Sequence, residues 1–353
     1  MAVVFAILLF SFLIFIHEFG HFIAAKLFGV QVNEFSMFMG PALVKWKKGE
    51  TQYSIRCIPI GGYCAMEGEN EDTDSPRSFM KAAWWKRLII LLAGVFMNFV
   101  VGVLITGILY IPVKQVVLPT IASFDSYCTV NGENGLQVGD RFFKIDGERI
   151  YTRSDVNLIL SMNPGDIHDI VVIRGGEKVS LPDFQMQWHG IQDEDGVTRQ
   201  YVGIGFTVKD ADLPTKLDCA WKDSCNILRT VRLSLKMILT GQAGISDVTG
   251  PVGIVQMMSQ TAKESESAQS AIWNLLYFAS FLAINLAVMN LLPIPALDGG
   301  RVVGLLLTTA AEKITRKKIN PKIESYIHGV GMVILLVFMA LILFKDIFVI
   351  FKR

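Results

Sequence analysis

Two histidines four residues apart, His17 and His21, flank Glu18 inside a run that otherwise suits lipid: FLIFIHEFGHFIAA, Phe12 to Ala25. On a helix, residues at that spacing share one face and lie about one turn apart. Two imidazole nitrogens so placed can grip one Zn²⁺ at roughly 2.0–2.1 Å each. Glu18 would then reach the open position of the metal, take a proton from bound water and return it to a leaving amine. This is the H-E-x-x-H arrangement of zinc hydrolases. Of 5 histidines in the chain, two fall here. The bland alternative is a pair of histidines hydrogen-bonding between helices, and Glu18 in the same turn weighs against it. An ionisable cluster inside a span costs a few kcal/mol or more per group, so it needs a partner.

Catalytic zinc takes three protein ligands and one water, and two histidines leave it short. His168 and His189 fall in a stretch read below as lying on the other side of the membrane. His328 opens the last apolar span and stays a candidate. Asp298, in NLLPIPALDGGR, is a better one: Pro293 and Pro295 interrupt the end of a span there, on the side of His17 and His21. Gly299 and Gly300 allow close backbone approach. A plain loop acid just past a span is the alternative.

Four apolar runs are long enough to cross a bilayer at about 20 residues each: Ala2–Ala25, Leu88–Val113, Ile272–Leu292 and Tyr326–Phe344. The first lacks a preceding basic residue and does not read as a signal peptide. After it, ALVKWKKGETQYSIRCIPIGGY alternates apolar and polar residues around KKGE, a hairpin signature. The apolar FSMFMGP before it suggests a hairpin dipping toward the bilayer and lining a cavity; a surface hairpin beside the membrane is the other reading. Thr120 to Val208 has the character of a soluble α/β module, and Thr215–Leu239 that of an amphipathic helix lying in the interface or packed on that module.

Lys45, Lys47, Lys48, Lys81, Lys86 and Arg87 crowd the first connection, and Arg301, Lys313, Arg316, Lys317, Lys318 and Lys322 the third. The positive-inside rule puts both in the cytoplasm and the α/β module outside, with Lys345, Lys352 and Arg353 opposing an outside C-terminus. The composition agrees with a membrane protein: 52% of the 353 residues are hydrophobic and 18% charged, with a mean hydropathy of +0.43. A net charge of +1 gives no reason to expect nucleic acid. Cys57, Cys64, Cys128, Cys219 and Cys225 form no C-x-x-C pair and read as scattered thiols, with a Cys219–Cys225 bridge left open.

HEFGH in the first span, with NLLPIPALDGG at the end of a later one, resembles the site-2 protease family of intramembrane zinc metalloproteases. FSMFMGPALVKWKKGETQYSIRCIPIGGYCAMEGE looks like its membrane re-entrant β region, and AGVFMNFVVG is similar to its second span, except that Val95 stands where relatives usually carry proline. DVTGPVGIVQ is similar to its Gly-Pro segment, and GLQVGDRFFKIDG resembles an inserted PDZ domain. The nearest branch is that of the regulator of sigma-E protease, with a single PDZ domain.

The resemblance implies a polytopic α-helical membrane protein with a membrane-associated β-hairpin region and an inserted α/β PDZ-like domain. Its expected layout is a first transmembrane helix over 1–29, a cytoplasmic or re-entrant β region over 30–87, and a second helix over 88–113. An extracytoplasmic PDZ domain over 114–210 and an interfacial helix with the Gly-Pro segment over 211–267 follow. A third helix over 268–300, a cytoplasmic loop over 301–325 and a fourth helix over 326–353 complete it. The resemblance further implies Zn²⁺ on His17, His21 and Asp298, Glu18 as acid/base, and Asn290 and Asn285 holding an unwound substrate or the oxyanion. Expected substrates are single-span membrane proteins already cut outside the membrane, such as anti-sigma factors and remnant signal peptides. The expected location is the bacterial cell membrane, with the active site toward the cytoplasm.

Three rivals are weighed against it. A membrane adaptor with a degenerate site would tolerate Glu18→Gln. A metal transporter would need a second site along a path. An anchored peptidase for soluble proteins would take its third ligand from a soluble helix.

Overall fold

The run that carries His17 and His21 folds as one uninterrupted helix, α1 (Ala2–Leu27). It contains no proline and stops at Gly29, whose φ of 78° suits glycine. The Val30 amide reaches back to the Ala25 carbonyl at 2.9 Å and closes the last turn. The computed structural model describes residues 2–69, 73–126, 128, 130–132, 135–162, 165–192, 198–244, 248–265, 267–316 and 321–351. Further helices are α2 (Trp84–Tyr110), α3 (Arg153–Met162), α4 (Leu213–Leu239), α5 (Pro251–Glu264), α6 (Ala268–Leu291), α7 (Asp298–Thr315) and α8 (Pro321–Phe351). Four helical stretches, Val4–Leu27, Trp84–Tyr110, Ala268–Leu291 and Tyr326–Phe348, are long and apolar enough to cross a membrane, as a multi-pass membrane protein requires.

The chain divides into two units, one of residues 1–106 with 227–353, the other of 107–226. In the first, β1 (Val32–Lys48) and β2 (Thr51–Met66) turn at Gly49, inside the KKGE stretch. Each strand bends, β1 near Phe38 and Gly40 and β2 near Gly61, where φ is positive. Phe35 therefore pairs with both Tyr53 and Cys64, and Tyr53 with both Phe35 and Trp46. Four segments lie side by side in the order 42–48, 51–56, 32–37 and 62–66. Phe15 and Phe22 of α1 pack on Phe35, closing an apolar core with Val30, Val32, Met66 and Ile90. Across that sheet Arg56 bonds Glu34 at 2.7 Å, the Gly40 carbonyl at 2.6 Å and Tyr63 at 2.5 Å.

Small residues let the helices meet, as is usual where helices pack in lipid. A Cβ on Gly102 of α2 would lie 2.4 Å from Ile284 of α6, and Thr106 bonds Ser280 across the same contact at 2.6 Å. Ser267 and Ser270 cap α6 reciprocally. Asp346 of α8 accepts the Gly253 amide at 2.9 Å, placing a carboxylate on the N-terminus of α5. Residues 301–325, expected as a loop, are helical as far as Thr315: with Gly299 and Gly300 in its first turn, the segment after the prolines restarts a helix. The Gly-Pro segment likewise opens a helix, α5, with Pro251 at its first turn.

The second unit holds β3 (Gln115–Phe124), β4 (Arg141–Ile145), β5 (Glu148–Arg149), β6 (Ile167–Arg174), β7 (Glu177–Gln185), β8 (His189–Gln192), β9 (Thr198–Tyr201) and β10 (Ile204–Asp210). Its main sheet runs β10-β3-β4-β6-β7, with β5 on β4 and β8 paired separately to β9. Phe142, Ile121, Ile145, Ile170 and Val172 form its core, with Val156 and Ile159 of α3 buried as well. His168, buried, contacts Asp146 at 2.8 Å and the Gly165 carbonyl at 2.9 Å. All five cysteines are free, so Cys219 and Cys225, six residues apart on α4, are not bridged.

Asp140, fully buried, is held by Arg174 at 2.8 and 2.7 Å and by the Gln137 amide at 2.8 Å. Arg174→Met strands that carboxylate and is expected to destabilise the second unit by about 3 kcal/mol. Urea unfolding of the full chain, followed by hydrogen exchange in β4 and β6, measures it.

Candidate metal centre

On α1 the imidazoles of His17 and His21 stand edge to face, with their Nε2 atoms 3.2 Å apart. Asp298 opens α7 and sets Oδ2 at 3.0 Å from His17 Nε2 and 3.2 Å from His21 Nε2. The partial positive charge of a helix N-terminus favours a carboxylate there. All three side chains are largely buried.

The aim of Asp298 is set by the loop 292–297. A Cβ on Gly299 would lie 2.2 Å from the Leu291 carbonyl oxygen, and one on Gly300 2.3 Å from that of Ile294. Ala296 takes a φ of 81°, a strained conformation for a residue with a side chain. Its amide donates to His328 Nδ1 of α8 at 3.2 Å, and Gly331 leaves room for Pro295. His328 therefore supports the loop that carries Asp298; among the described residues the cluster is His17, His21 and Asp298.

Helix α2 backs the imidazoles. His21 Nδ1 contacts the Ile90 carbonyl at 2.8 Å, which fixes a proton on Nδ1 and leaves the Nε2 lone pair facing the cluster. A Cβ on Gly94 would sit 2.5 Å from His21 Nε2 and 2.8 Å from His17 Cε1, so only glycine lets α2 pass this close. Asn98, one turn further on, places its carboxamide nitrogen 3.4 Å from His17 Nδ1.

Glu18 is held from the hairpin: its Oε2 accepts the Cys64 amide at 3.0 Å. It lies within electrostatic reach of His17, His21 and Asp298. Beyond Cys64, Glu69 pairs with Arg301 of α7, three residues past Asp298, tying the hairpin to the helix that supplies the third atom.

These residues fit a divalent cation. Three atoms with lone pairs converge, and Asp298 Oδ2 is buried without a hydrogen-bond donor among the described residues. Ligands at about 2.05 Å in a tetrahedral shell stand about 3.3 Å apart, close to the 3.0–3.2 Å observed. Two imidazoles and one carboxylate are the donor set of a catalytic zinc that keeps one position open.

Of the residues expected from sequence, His17, Glu18, His21 and Asp298 come together. Asn285 and Asn290 are half-buried on α6 and, five residues apart, point about 140° from each other around the helix. Sequence reasoning did not single out Gly94, Asn98 or the Cys64 amide. A glycine and an asparagine four apart in a charge-free span were the available signal for the first two; a backbone amide leaves none.

The family model for peptidase family M50 matches residues 5–338. A Clostridium perfringens protein, provisionally named a zinc metalloprotease, is 35% identical over 98% of each chain. A Clostridium acetobutylicum protein with the same provisional name is 34% identical over 98% of this chain and 97% of its own. The Bacillus subtilis regulator of sigma-W protease RasP is 26% identical over 97% of each chain.

Gly94→Ala drives a methyl group into both imidazoles and is expected to lower zinc affinity at least about tenfold. Metal analysis of the purified protein against a chelator series checks it. In the hairpin, burial of Glu34 raises its pKa, but hydrogen bonds from Ser54 and Arg56 prevail and bring it to about 2. An unfolded glutamate titrates near 4.3, so the stability Glu34 contributes is full above that pH and is lost as pH falls toward 2. Protection factors of amides in β1 and β2, corrected for the intrinsic exchange rate at each pH, should fall as pH drops from about 4.3 toward 2, and less so in Glu34→Gln.

Proposed function

Since the chain belongs to peptidase family M50, zinc metalloproteases of the site-2 type, we propose that it cuts transmembrane segments of single-span membrane proteins within the bilayer. His17, His21 and Asp298 hold the zinc in this reading, and Glu18 moves the proton. The observation that carries it is the convergence of two imidazole nitrogens, beside Glu18 on a helix long and apolar enough to span, with a carboxylate oxygen from α7.

When bound, zinc supplies a Lewis acid for the scissile carbonyl and acidifies the attacking water. The protein does the rest. With Oε2 engaged by the Cys64 amide, Oε1 of Glu18 is the oxygen left to take the water's proton and hand it to the leaving amine. The Cys64 bond restricts the carboxylate to one side of the cluster, so proton transfer needs no search.

A helical peptide bond in lipid is hydrogen-bonded and dry, and must be unwound before water can attack. Segment 62–66 is one of the two edges of the hairpin sheet and touches Glu18 through Cys64. An extended substrate added along it would lie against the acid/base. Asn290, one residue from the end of α6, is better placed than Asn285 to hold that unwound segment or the oxyanion.

The unit of residues 107–226 is, in this reading, a PDZ-like domain outside the cell that favours substrates already trimmed there. Its five-strand order and the short helix α3 over the core support it. Basic residues crowding the first and third connections support a cytoplasmic active site in a bacterial cell membrane. The name of the Bacillus subtilis relative favours anti-sigma factors as substrates, beside remnant signal peptides.

A single-span substrate lacking its outer domain, mixed with the purified chain in detergent, tests this. Wild type should cut within the span, and Glu18→Gln should keep its zinc yet cut at least about a hundredfold more slowly. Zinc in both with cleavage by neither would favour an adaptor; no zinc in either would remove the ligand assignment. Deletion of residues 121–208 should erase the preference for trimmed over full-length substrate, and an unchanged preference would sink the selecting role.

A further inference from the structure

We propose that Asn98 is the positioning residue for His17: its carboxamide oxygen accepts the His17 Nδ1 proton and so turns Nε2 toward the metal. The inference rests on the zinc reading of His17, His21 and Asp298.

Two observations on α2 are each odd alone and are resolved together. Asn98 is fully buried inside an apolar helix, and its Oδ1 has no hydrogen-bond partner among the described residues. An orphaned amide oxygen there carries its full desolvation penalty. Its Nδ2, meanwhile, faces His17 Nδ1 at 3.4 Å. A histidine that gives Nε2 to a metal carries its proton on Nδ1. Nδ2 and Nδ1 would then meet as two donors.

Oxygen and nitrogen of a carboxamide are interchangeable by a half-turn, and the hydrogen-bond network decides between them. The half-turn places Oδ1 against His17 Nδ1–H. The orphaned acceptor gains a donor, and the donor–donor clash disappears. The same helix already serves His21 in this way, through the Ile90 carbonyl at 2.8 Å. Ile90 and Asn98 stand two turns apart around Gly94, whose missing side chain admits both rings. One helix thus fixes both tautomers. The simpler alternative, an asparagine that merely packs α2 in the membrane, assigns no role to the acceptor atom.

The test compares wild type, Asn98→Leu, Asn98→Asp and His17→Ala as full chains in detergent. Zinc affinity is read by competition with a chromophoric chelator, and ligand geometry by the visible spectrum of the Co²⁺ form. Asn98→Leu keeps the size and removes the acceptor; it is expected to bind zinc about 10–100-fold more weakly and to shift the Co²⁺ bands. Asn98→Asp keeps an acceptor and should stay within about threefold of wild type, since carboxylates serve ligating histidines in the same way. Equal affinity in Asn98→Leu and wild type overturns the proposal, as does equal weakening in Leu and Asp variants. If Asn98→Leu does not fold, Asn98→Asp decides: a tenfold loss overturns the role of the acceptor. A wild type that binds no zinc, or a His17→Ala variant that binds it undiminished, overturns the site reading and Asn98 with it. Zinc lost in His17→Ala but undiminished in Asn98→Leu removes Asn98 alone.

Discussion

Three atoms bearing lone pairs, held 3.0–3.2 Å apart inside a helix bundle, repel one another unless a cation or a shared proton lies between them. Much of the first unit serves to hold them there. The helical period stacks His17 over His21, the N-terminus of α7 favours the Asp298 carboxylate, and α2 presses against both imidazoles through Gly94. The protein belongs to a zinc metalloprotease family, and a cation between these atoms would make an ionisable cluster tolerable among apolar side chains.

Close approach comes from missing side chains. Gly94, Gly102, Gly299, Gly300 and Gly331 each stand where a Cβ would collide with a neighbour. Two of them, Gly299 and Gly300, let the chain reverse within a few residues after Pro293 and Pro295, so that a helix can restart at Asp298. The strain of Ala296 at φ 81° is accepted where His328 and Pro295 fix the loop against α8.

The hairpin is tied to Glu18. Its bends put segment 62–66 at the outer side of the sheet, and the Cys64 amide there holds Glu18. The Arg56 network with Glu34, Tyr63 and the Gly40 carbonyl satisfies polar groups in a sheet otherwise rich in apolar residues.

The sequence alone determined the features that are local along the chain. Four apolar runs, the one-face stacking of His17 and His21, the Glu18 between them and the KKGE turn follow from period, length and turn chemistry over a few residues. Asp298 was also legible, because prolines and glycines around one acid at a span's end are rare enough to mark it. Tertiary structure decided what joins distant positions. That Cys64 N–H grips Glu18 across 46 residues and that His328 steadies Ala296 leave no pattern of spacing. The continuation of α7 to Thr315 was hidden by its many charged neighbours, which read as a loop. The physical reason is range: helical period and turn preference act between near neighbours, whereas a metal cluster and its supports are set by which helices pack against each other.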